Sequence, residues 1–342
     1  MRLGLLTGGG DCPGLNAVIR AVVRDGAGRR GAEIVAFRDG WHGVLENRSE
    51  ELVVGSVRGI IHRGGTIIGS SGTNPFNHER GEERIAETFA AQRLDGLIAV
   101  GGEGTLTAAS RLADRGLKIV GVPKTIDNDL SANDFTIGFH TAVGTATDAI
   151  DRLHSTAESH NRVMVVEVMG RNAGWIAMYS GIAGGADAVL IPERSFDLDE
   201  ICARLRKRHL QRSSFSIVVV AEGATPIEGS MNLPSYELDE NGFERLGGIS
   251  TLLGPELQAR TGFETRVTIL GHTQRGGSPV PFDRVLGTRL GIAAVGLAEA
   301  GGWGRMAALQ GGEIVDVALA DAVAERKVVP DPLIATSEVF CS

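Results

Sequence analysis

The most constraining feature of this sequence is a repeated order of a short apolar run, a glycine-rich turn and an amphipathic stretch. The apolar runs are rich in β-branched residues and mostly continuous, which is typical of strands covered on both faces in a parallel sheet. Between them, apolar residues recur three and four positions apart, the period of a helix with one buried face. This order predicts a doubly wound α/β fold. The predicted strands are RLGLLT (2–7), EIVAF (33–37), LDGLIAV (94–100), KIVGV (118–122), RVMVVEV (162–168), DAVLIP (187–192), SIVVVAEG (216–223) and TRVTILG (265–271).

The length of 342 residues predicts about two domains of roughly 150 residues each. Glycine accounts for 48 residues, about twice its usual share of roughly 7%. These glycines cluster after apolar runs, where tight turns and close ligand approach require them. The polar segment from Pro226 to Arg245 is expected to be a surface excursion.

The net charge limits the class of partner, and the cysteine content indicates the location. A net charge of −8 argues against nucleic acid or an anionic membrane as the main partner, although local arginines can still bind an anionic small molecule. The three cysteines show no metal-binding spacing, which favours a reduced, cytoplasmic location. No apolar run approaches the roughly 20 residues of a membrane-spanning helix, and the N-terminal apolar part is too short for a signal peptide.

Polar residues and glycines follow six of the predicted strands. In doubly wound sheets, ligands bind outside the carboxyl ends of the strands. Together these six segments predict a polar crevice for an anionic ligand. They are TGGGDCPG (7–14), VGGEGT (100–105), PKTIDND (123–129), VMGRNAG (168–174), AEGA (221–224) and LGHTQRGG (270–277).

Two of these segments have the composition of phosphate-binding turns. Backbone N–H groups of the turn at Gly8–Gly10 can close on phosphate oxygens, although a tight turn explains the same glycines. Glu103 stands in a similar turn and would repel phosphate unless a cation lies between them. Glu103 is therefore a candidate Mg²⁺ ligand, with a role at the helix N-terminus as the alternative.

The segment PKTIDND combines a lysine with two carboxylates two positions apart. Asp127 can accept the proton of an attacking hydroxyl, and the neighbouring charge of Asp129 would raise its proton affinity. Lys124 can neutralise charge on a transferred phosphoryl group. A turn closed by Asp127 and Asn128 is the alternative, but it leaves the lysine unexplained.

Arginines near the other strand ends supply cations. Arg171 and Arg275 each follow an apolar strand and a glycine, and an arginine fork fits phosphate oxygens. For each arginine taken alone, a solvated salt bridge is the favoured interpretation. His272 by itself is more often a core histidine than a ligand.

Taken together, the motifs closely resemble those of the 6-phosphofructokinase family. The segments GGGDCPGLNAVIR, GGEGTL, PKTIDNDL, VVEVMGRNAGWIA, VAEG and LGHTQRGGSP stand in that family's order between residues 4 and 280. The resemblance implies two similar doubly wound α/β domains with mainly parallel sheets and an active site in the cleft between them. It implies an ATP-binding domain of residues 1–138 plus about 274–325, a sugar-phosphate domain of 139–273 and a C-terminal extension of 326–342.

The resemblance also implies a reaction and a set of residue roles. The γ-phosphoryl group of ATP, with Mg²⁺ as cofactor, would pass to the 1-hydroxyl of fructose 6-phosphate in glycolysis. Asp127 would be the general base, with Lys124 and Arg171 also catalytic and Glu103 at the metal position. Subunits would share active sites in a homodimer or homotetramer, because Arg162 and Arg266 would hold the 6-phosphate from a neighbouring subunit. The implied donor site comprises Gly10, Gly102, Glu103, Gly104 and Thr105, and the implied sugar-phosphate site comprises Thr125, Asp129, Arg162, Met169, Gly170, Arg171, Glu222, Arg266, His272 and Arg275.

Two positions separate phosphoryl donors within the family. Members that use pyrophosphate carry aspartate at the position of Gly104 and lysine at that of Lys124, whereas ATP enzymes carry glycine at the first. The pairing found here resembles ATP-using members of the mixed-substrate subgroup.

The sequence departs from the family at two sites. Gly72 stands where an arginine bridging donor and sugar is usual, and His154 replaces an arginine of the effector site, although Arg20 and Arg24 remain. Gly72 motivates the alternative of another phosphosugar such as sedoheptulose 7-phosphate, alongside the alternative of pyrophosphate as donor. A sugar-phosphate-binding protein without catalysis is the alternative outside enzymes.

Overall fold

The computed structural model describes residues 1–210, 215–231 and 248–340. The predicted surface excursion therefore lies outside the described residues from position 232 onward. The described chain forms eleven strands and eleven α-helices. The strands are β1 (Arg2–Thr7), β2 (Glu33–Phe37), β3 (Ser49–Leu52), β4 (Gly96–Gly101), β5 (Ile119–Pro123), β6 (Val163–Val168), β7 (Ala188–Leu190), β8 (Ser216–Ala221), β9 (Thr265–Ile269), β10 (Arg305–Gln310) and β11 (Glu313–Ala318).

The helices begin shortly after most of the strands, as the repeated order predicts. Three 3₁₀ helices, at Val54–Val57, Pro75–Asn77 and Gly271–Arg275, lie in the connections. None of the helices in the described ranges combines the length and apolar character that a membrane-spanning helix needs. The α-helices are α1 (Leu15–Arg29), α2 (Trp41–Leu45), α3 (Gly81–Ala91), α4 (Glu103–Asp114), α5 (Phe139–His160), α6 (Trp175–Ala183), α7 (Leu198–Leu210), α8 (Ile249–Thr261), α9 (Pro281–Glu299), α10 (Leu319–Ala324) and α11 (Asp331–Phe340).

The chain divides into two compact units, each with its own sheet. The first unit contains Met1–Thr141 and Arg275–Lys327, and the second contains Ala142–Gln274 and Val328–Ser342. The sequence predicted a C-terminal extension over residues 326–342. From Val328 it groups with the second unit, because α11 packs against α6 there.

The first unit is built on a seven-stranded sheet in the order β11-β10-β5-β4-β1-β2-β3. Five central strands are parallel, and β3 and β11 add antiparallel edges. Strands β1 and β4 are buried along almost their whole length, as expected of strands covered on both faces. Helices α1 and α9 pack against each other, and α4 packs on β4 and β5.

The second unit is built on a four-stranded parallel sheet in the order β7-β8-β6-β9. Strands β6 and β8 are fully buried. Helices α7 and α8 pack together, and their apolar residues join those of β6, β7 and β8 in one core. The prediction of two doubly wound α/β units with mainly parallel sheets is confirmed.

Candidate functional site

In the first unit, the candidate site lies at the carboxyl ends of β1, β4 and β5. The chain adds β2 on one side of β1 and later β4 and β5 on the other, so the strand order reverses between β1 and β4. Loops that leave a doubly wound sheet at such a point form its ligand-binding crevice. Gly8 N–H donates to the Val100 carbonyl at 2.9 Å, and Lys124 N–H donates to the Gly101 carbonyl at 2.9 Å. These bonds join the three predicted segments at one sheet edge.

Both glycine-rich turns close on Thr105, which is buried in the first turn of α4. A Cβ atom added to Gly8 would lie 2.6 Å from Thr105 Oγ1, and one added to Gly101 would also collide with that side chain. Helix α4 begins at Glu103 with Gly102 as N-cap, so its first N–H groups lack intrahelical partners. The turns and this helix N-terminus therefore form an anion-binding arrangement at the predicted donor residues.

The neighbourhood of Gly104 is open. Gly10 and Gly104 are both exposed, and a Cβ atom added to Gly104 meets no non-local atom of the described residues within 4 Å. Gly72 is open in the same way. Larger side chains would fit at both positions, so glycine there leaves room beside the site.

Lys124 lies beneath the first glycine-rich turn. Its Nζ donates to the Gly10 carbonyl at 2.5 Å, and the residue is only 2% exposed. Burial lowers the pKa of Lys124, and the positive charge of Arg275 acts in the same direction. A buried amine aimed at an anion-binding turn supports the predicted phosphate role.

The hydroxyl groups of Thr125 and Thr136 help to hold the loop after β5. Asp127 N–H donates to Thr125 Oγ1 at 3.1 Å. Asn128 is buried and accepts from Thr136 N–H at 3.0 Å, while Thr136 Oγ1 donates to the Thr125 carbonyl at 2.6 Å. Asn128 thus braces the loop from inside.

The two carboxylates of this loop interact electrostatically. Burial, and next the negative charge of Asp127, raise the pKa of Asp129 to about 7. The charge of Glu103 acts in the same direction, whereas Arg326 opposes it. Glu103, Asp127 and Asp129 therefore form a local excess of negative charge, which we call the carboxylate cluster.

The carboxylate cluster is suited to Mg²⁺ in its chemistry. The described residues contain no ready cage of three or more His, Cys, Asp or Glu side chains for a metal ion. Mg²⁺ is usually held by one or two carboxylates together with substrate phosphates, so such a cage is not required. Glu103 is exposed at the start of α4 and fits this role.

Arg275 belongs to the first unit and lies at the donor turn. Its Nη1 donates to the Asp11 carbonyl at 3.3 Å, and a Cβ atom added to Gly10 would lie 2.6 Å from the same Nη1. Its guanidinium and the amine of Lys124 therefore both lie next to the Gly10 backbone. The sequence assigned Arg275 to the sugar-phosphate residues, most of which belong to the second unit.

In the second unit, Met169, Gly170 and Glu222 meet at the carboxyl ends of β6 and β8. Gly170 N–H donates to Glu222 Oε1 at 3.4 Å, and Met169 N–H donates to Gln274 Oε1 at 3.3 Å. Arg171 follows in the same loop, and His272 is exposed in the 3₁₀ helix after β9. The five predicted residues of these loops thus share one sheet edge.

Arg162 and Arg266 lie together at the other end of the same sheet. Arg162 precedes β6 and Arg266 is the second residue of β9. Both pair with Glu264, Arg162 at 2.9 Å. The six residues of β6 place this arginine pair about 20 Å from Met169 along the strand. The two groups therefore cannot bind the same small ligand within one unit.

Sequence reasoning missed four polar residues that organise these regions. Arg326 pairs with Glu103, and Gln274 ties the loop after β6 to that after β9. Glu167 and Asp283 are buried carboxylates at helix N-termini. Of the four, Glu167 left the clearest signal, because it is a single charge inside the apolar run VMVVEV.

Comparisons with known proteins agree with this description. The family model described as Phosphofructokinase matches residues 2–298. The chain is 55% identical to the pyrophosphate–fructose 6-phosphate 1-phosphotransferase of Streptomyces coelicolor, over 99% of both chains. It is 53% identical to the ATP-dependent 6-phosphofructokinase 3 of the same organism, again over 99% of both.

A solved structure of phosphofructokinase from Saccharomyces cerevisiae matches with a TM-score of 0.80 and 31% identity. The match covers 99% of this chain and 47% of the yeast chain, so this chain spans about half the length of that relative.

The fold and the site define an α/β protein with mostly parallel sheets and a candidate anion-binding site at the carboxyl ends of its strands. With the family match over most of its length, the chain belongs to the phosphofructokinase family and is an enzyme of that family.

Proposed function

We propose that this enzyme transfers the γ-phosphoryl group of ATP to the 1-hydroxyl of fructose 6-phosphate, giving fructose 1,6-bisphosphate, as a cytoplasmic step of glycolysis. The observation that carries the proposal is the meeting of two glycine-rich turns, buried Lys124 and the Asp127–Asp129 pair at one sheet edge. Such an edge brings a phosphate site and a candidate base together, which phosphoryl transfer requires.

Asp127 is the proposed general base. It would accept the proton of the attacking hydroxyl, and Asp129 beside it raises the cost of a second negative charge in the loop. Lys124 and Arg171 are the residues proposed to balance charge on the phosphoryl oxygens. Glu103 would hold Mg²⁺ together with the donor phosphates, and the bound ion would neutralise phosphate charge.

ATP is the proposed donor because position 104 is open. Within the described ranges, a Cβ atom added to Gly104 has no neighbour within 4 Å beyond the local helix backbone and adjacent residues, and Gly104 lies in the first turn of α4, the helix proposed to face the donor. A carboxylate in this space would repel the additional phosphate of a nucleotide, and glycine avoids that repulsion. The relative named as an ATP-dependent enzyme, at 53% identity, supports the proposal.

Pyrophosphate is the second candidate donor. It is favoured by the relative named for pyrophosphate at 55% identity and by Lys124, which lies under the donor turn. The open space at Gly72 motivates the other alternative, a different phosphosugar as acceptor.

The enzyme is proposed to work as a homo-oligomer with shared sites. Met169, Gly170, Arg171, Glu222 and His272 would contact the sugar phosphate from the loops of the second unit. Arg162 and Arg266 lie at the opposite sheet end and would serve the site of a neighbouring subunit.

The test is a product assay with two donors and two acceptors. Purified enzyme, saturating Mg²⁺ and either ATP or pyrophosphate are combined with fructose 6-phosphate or sedoheptulose 7-phosphate, and products are identified by ³¹P NMR. ATP with fructose 6-phosphate is expected to give the highest kcat/KM. A preference for pyrophosphate would contradict ATP as the donor, and a preference for sedoheptulose 7-phosphate would contradict fructose 6-phosphate as the acceptor. No transfer in any combination would refute the proposed catalysis.

A further inference from the structure

Residues 325–327, near the end of the first unit, pair with the loop that carries Asp127 and Asp129. Leu130 and Arg326 form an antiparallel bridge, and Lys327 N–H donates to the Asp129 carbonyl at 3.0 Å. Ser131 Oγ donates to the Glu325 carbonyl at 2.6 Å. These backbone-directed bonds fix the start of the Arg326 side chain relative to the loop.

From this anchor the Arg326 guanidinium reaches two members of the carboxylate cluster. Nη2 lies 3.0 Å from Glu103 Oε2, and Nε lies 3.9 Å from Asp129 Oδ2. The Arg326 side chain is 36% exposed and that of Glu103 is 51% exposed. Arg326 thus connects the first turn of α4 with the loop after β5, two segments of the proposed donor and base site.

The contact of Arg326 involves Glu103, the carboxylate that is proposed to hold a divalent cation. A guanidinium donating to Glu103 uses oxygen lone pairs that an ion would need, and two cations at one carboxylate repel each other. The role of Glu103 as an ion ligand rests on the proposed function. Given that role, we propose that Arg326 is a positioning residue that competes with the divalent cation for Glu103.

In this arrangement the site has two states. Without the ion, Arg326 neutralises Glu103 and holds α4 against the aspartate loop. When the ion binds, Glu103 exchanges its guanidinium for the metal, and Arg326 stays beside Asp129 because residues 325–327 remain paired with the loop. The ion therefore binds more weakly than it would if Arg326 were absent.

The test measures Mn²⁺ binding to the enzyme alone, with free Mn²⁺ followed by electron paramagnetic resonance. Arg326→Ala should tighten Mn²⁺ binding about two- to fivefold, the range expected from the coupling energy of a partly exposed ion pair. Arg326→Lys, which keeps a cation, should bind close to wild type. Arg115→Ala is the matched control, since it removes an exposed guanidinium paired with Glu82 elsewhere in the same unit.

The same substitution in a Glu103→Gln background tests whether the tighter Mn²⁺ binding depends on Glu103. In Glu103→Gln, the gain from Arg326→Ala should disappear because the carboxylate under competition is absent. Melting temperatures of all variants confirm that each remains folded. Unchanged or weaker Mn²⁺ binding in Arg326→Ala, undetectable binding in both wild type and variant, or a gain that persists in Glu103→Gln would each overturn the inference. The assay contains neither ATP nor sugar phosphate, so its outcome is separate from that of the phosphotransfer assay.

Discussion

At the scale of single residues, the carboxylate cluster contains one aspartate, Asp129, with a raised pKa. The Asp129 side chain is only 13% exposed, and burial together with the charge of Asp127 raises its pKa to about 7. A carboxyl group whose pKa is shifted by burial and by a neighbouring charge is typical of functional sites. The raised pKa of Asp129 supports the proposal that Asp127 is the proton acceptor while Asp129 limits the negative charge of the loop.

Asp127→Asn should lower kcat by about 10²–10⁴ while leaving the melting temperature near that of wild type, because an amide cannot act as general base. The measurement is steady-state kinetics with ATP and fructose 6-phosphate. Asp114→Asn, an exposed change at the end of α4, is the matched control and should keep full activity. Near-normal turnover of Asp127→Asn would remove this residue from the mechanism.

The raised pKa of Asp129 also predicts a dependence of stability on pH. The folded protein keeps this proton up to about pH 7, whereas the unfolded chain releases it near 3.8. Between these values the folded state binds more protons, so the contribution of Asp129 to stability falls as the pH rises, by at most about 1.4 kcal/mol per pH unit. Asp129→Asn removes this contribution and should be more stable than wild type above pH 7.

Melting temperatures across this pH range provide the measurement. The advantage of Asp129→Asn should shrink steadily towards pH 4, and Asp114→Asn should track wild type throughout. An advantage that stays constant with pH would contradict the proposed cause.

At the scale of secondary-structure elements, each unit uses a buried carboxylate to hold a helix N-terminus. Glu167, in the middle of β6, accepts from Gly248 N–H at 2.8 Å and Ser250 N–H at 2.9 Å at the start of α8. Asp283, in α9, accepts from Gly138 N–H at 3.0 Å and Thr141 N–H at 2.8 Å at the start of α5. Both satisfy N–H groups that a helix start leaves without partners.

Glu167→Ala should destabilise the protein by about 3 kcal/mol, because buried donors at the start of α8 lose a charged acceptor. For a unit of this size, that corresponds to a loss of about 6 °C or more in melting temperature. Calorimetry is the measurement, with Glu158→Ala, an exposed change near the end of α5, as control. A change no larger than the control would mean that Glu167 does not hold α8.

The sequence predicted those elements whose patterns are local. All eight apolar runs form strands, and the chain passes from β5 into the aspartate loop at Pro123 as expected. It did not predict β10, whose segment RMAALQ consists largely of good helix formers and becomes a strand by pairing with β5 and β11. It also missed Arg326, because its partner Glu103 lies 223 positions away and no local pattern connects them.

Within the candidate site, too, the sequence predicted the residues that follow a local pattern and not those placed by distant parts of the chain. The glycine turns, Lys124 and the aspartates were predicted because each follows a strand of one sheet. The placement of Arg275 against Gly10 was not, since it depends on how the chain returns to the first unit after leaving it. The roles assigned to these residues remain predictions that the kinetic variants test.

At the scale of the whole molecule, the sheet of the second unit has polar groups at both ends. Arg162 and Arg266 flank Glu264 at the amino ends of β6 and β9, and Arg171 and Glu222 lie beyond the carboxyl ends. Two arginines sharing one carboxylate can bind a phosphate dianion in its place. Their distance from the other loops favours a phosphate site completed by a neighbouring subunit.

A mixture of Arg162→Ala and Asp127→Asn subunits should therefore recover activity that neither variant has alone. At an interface between the two variants, one shared site carries both substitutions, and the other shared site carries neither. The measurement is activity after the two variants are mixed and allowed to exchange subunits, with exchange verified by mass spectrometry. Arg204→Ala, which removes an exposed arginine paired with Glu200, replaces Arg162→Ala in the control mixture and should remain active before and after exchange. Absence of complementation after verified exchange would count against shared sites.

The central claim is that the donor site at the carboxyl ends of β1, β4 and β5 admits ATP because position 104 carries no side chain. The most direct measurement is kcat/KM for ATP and for pyrophosphate, with saturating Mg²⁺ and fructose 6-phosphate, in wild type and in Gly104→Asp. We expect wild type to favour ATP and Gly104→Asp to lose at least about tenfold in kcat/KM for ATP, or 1.4 kcal/mol, through repulsion of the nucleotide phosphates. Efficient use of pyrophosphate by wild type without use of ATP would contradict the claim.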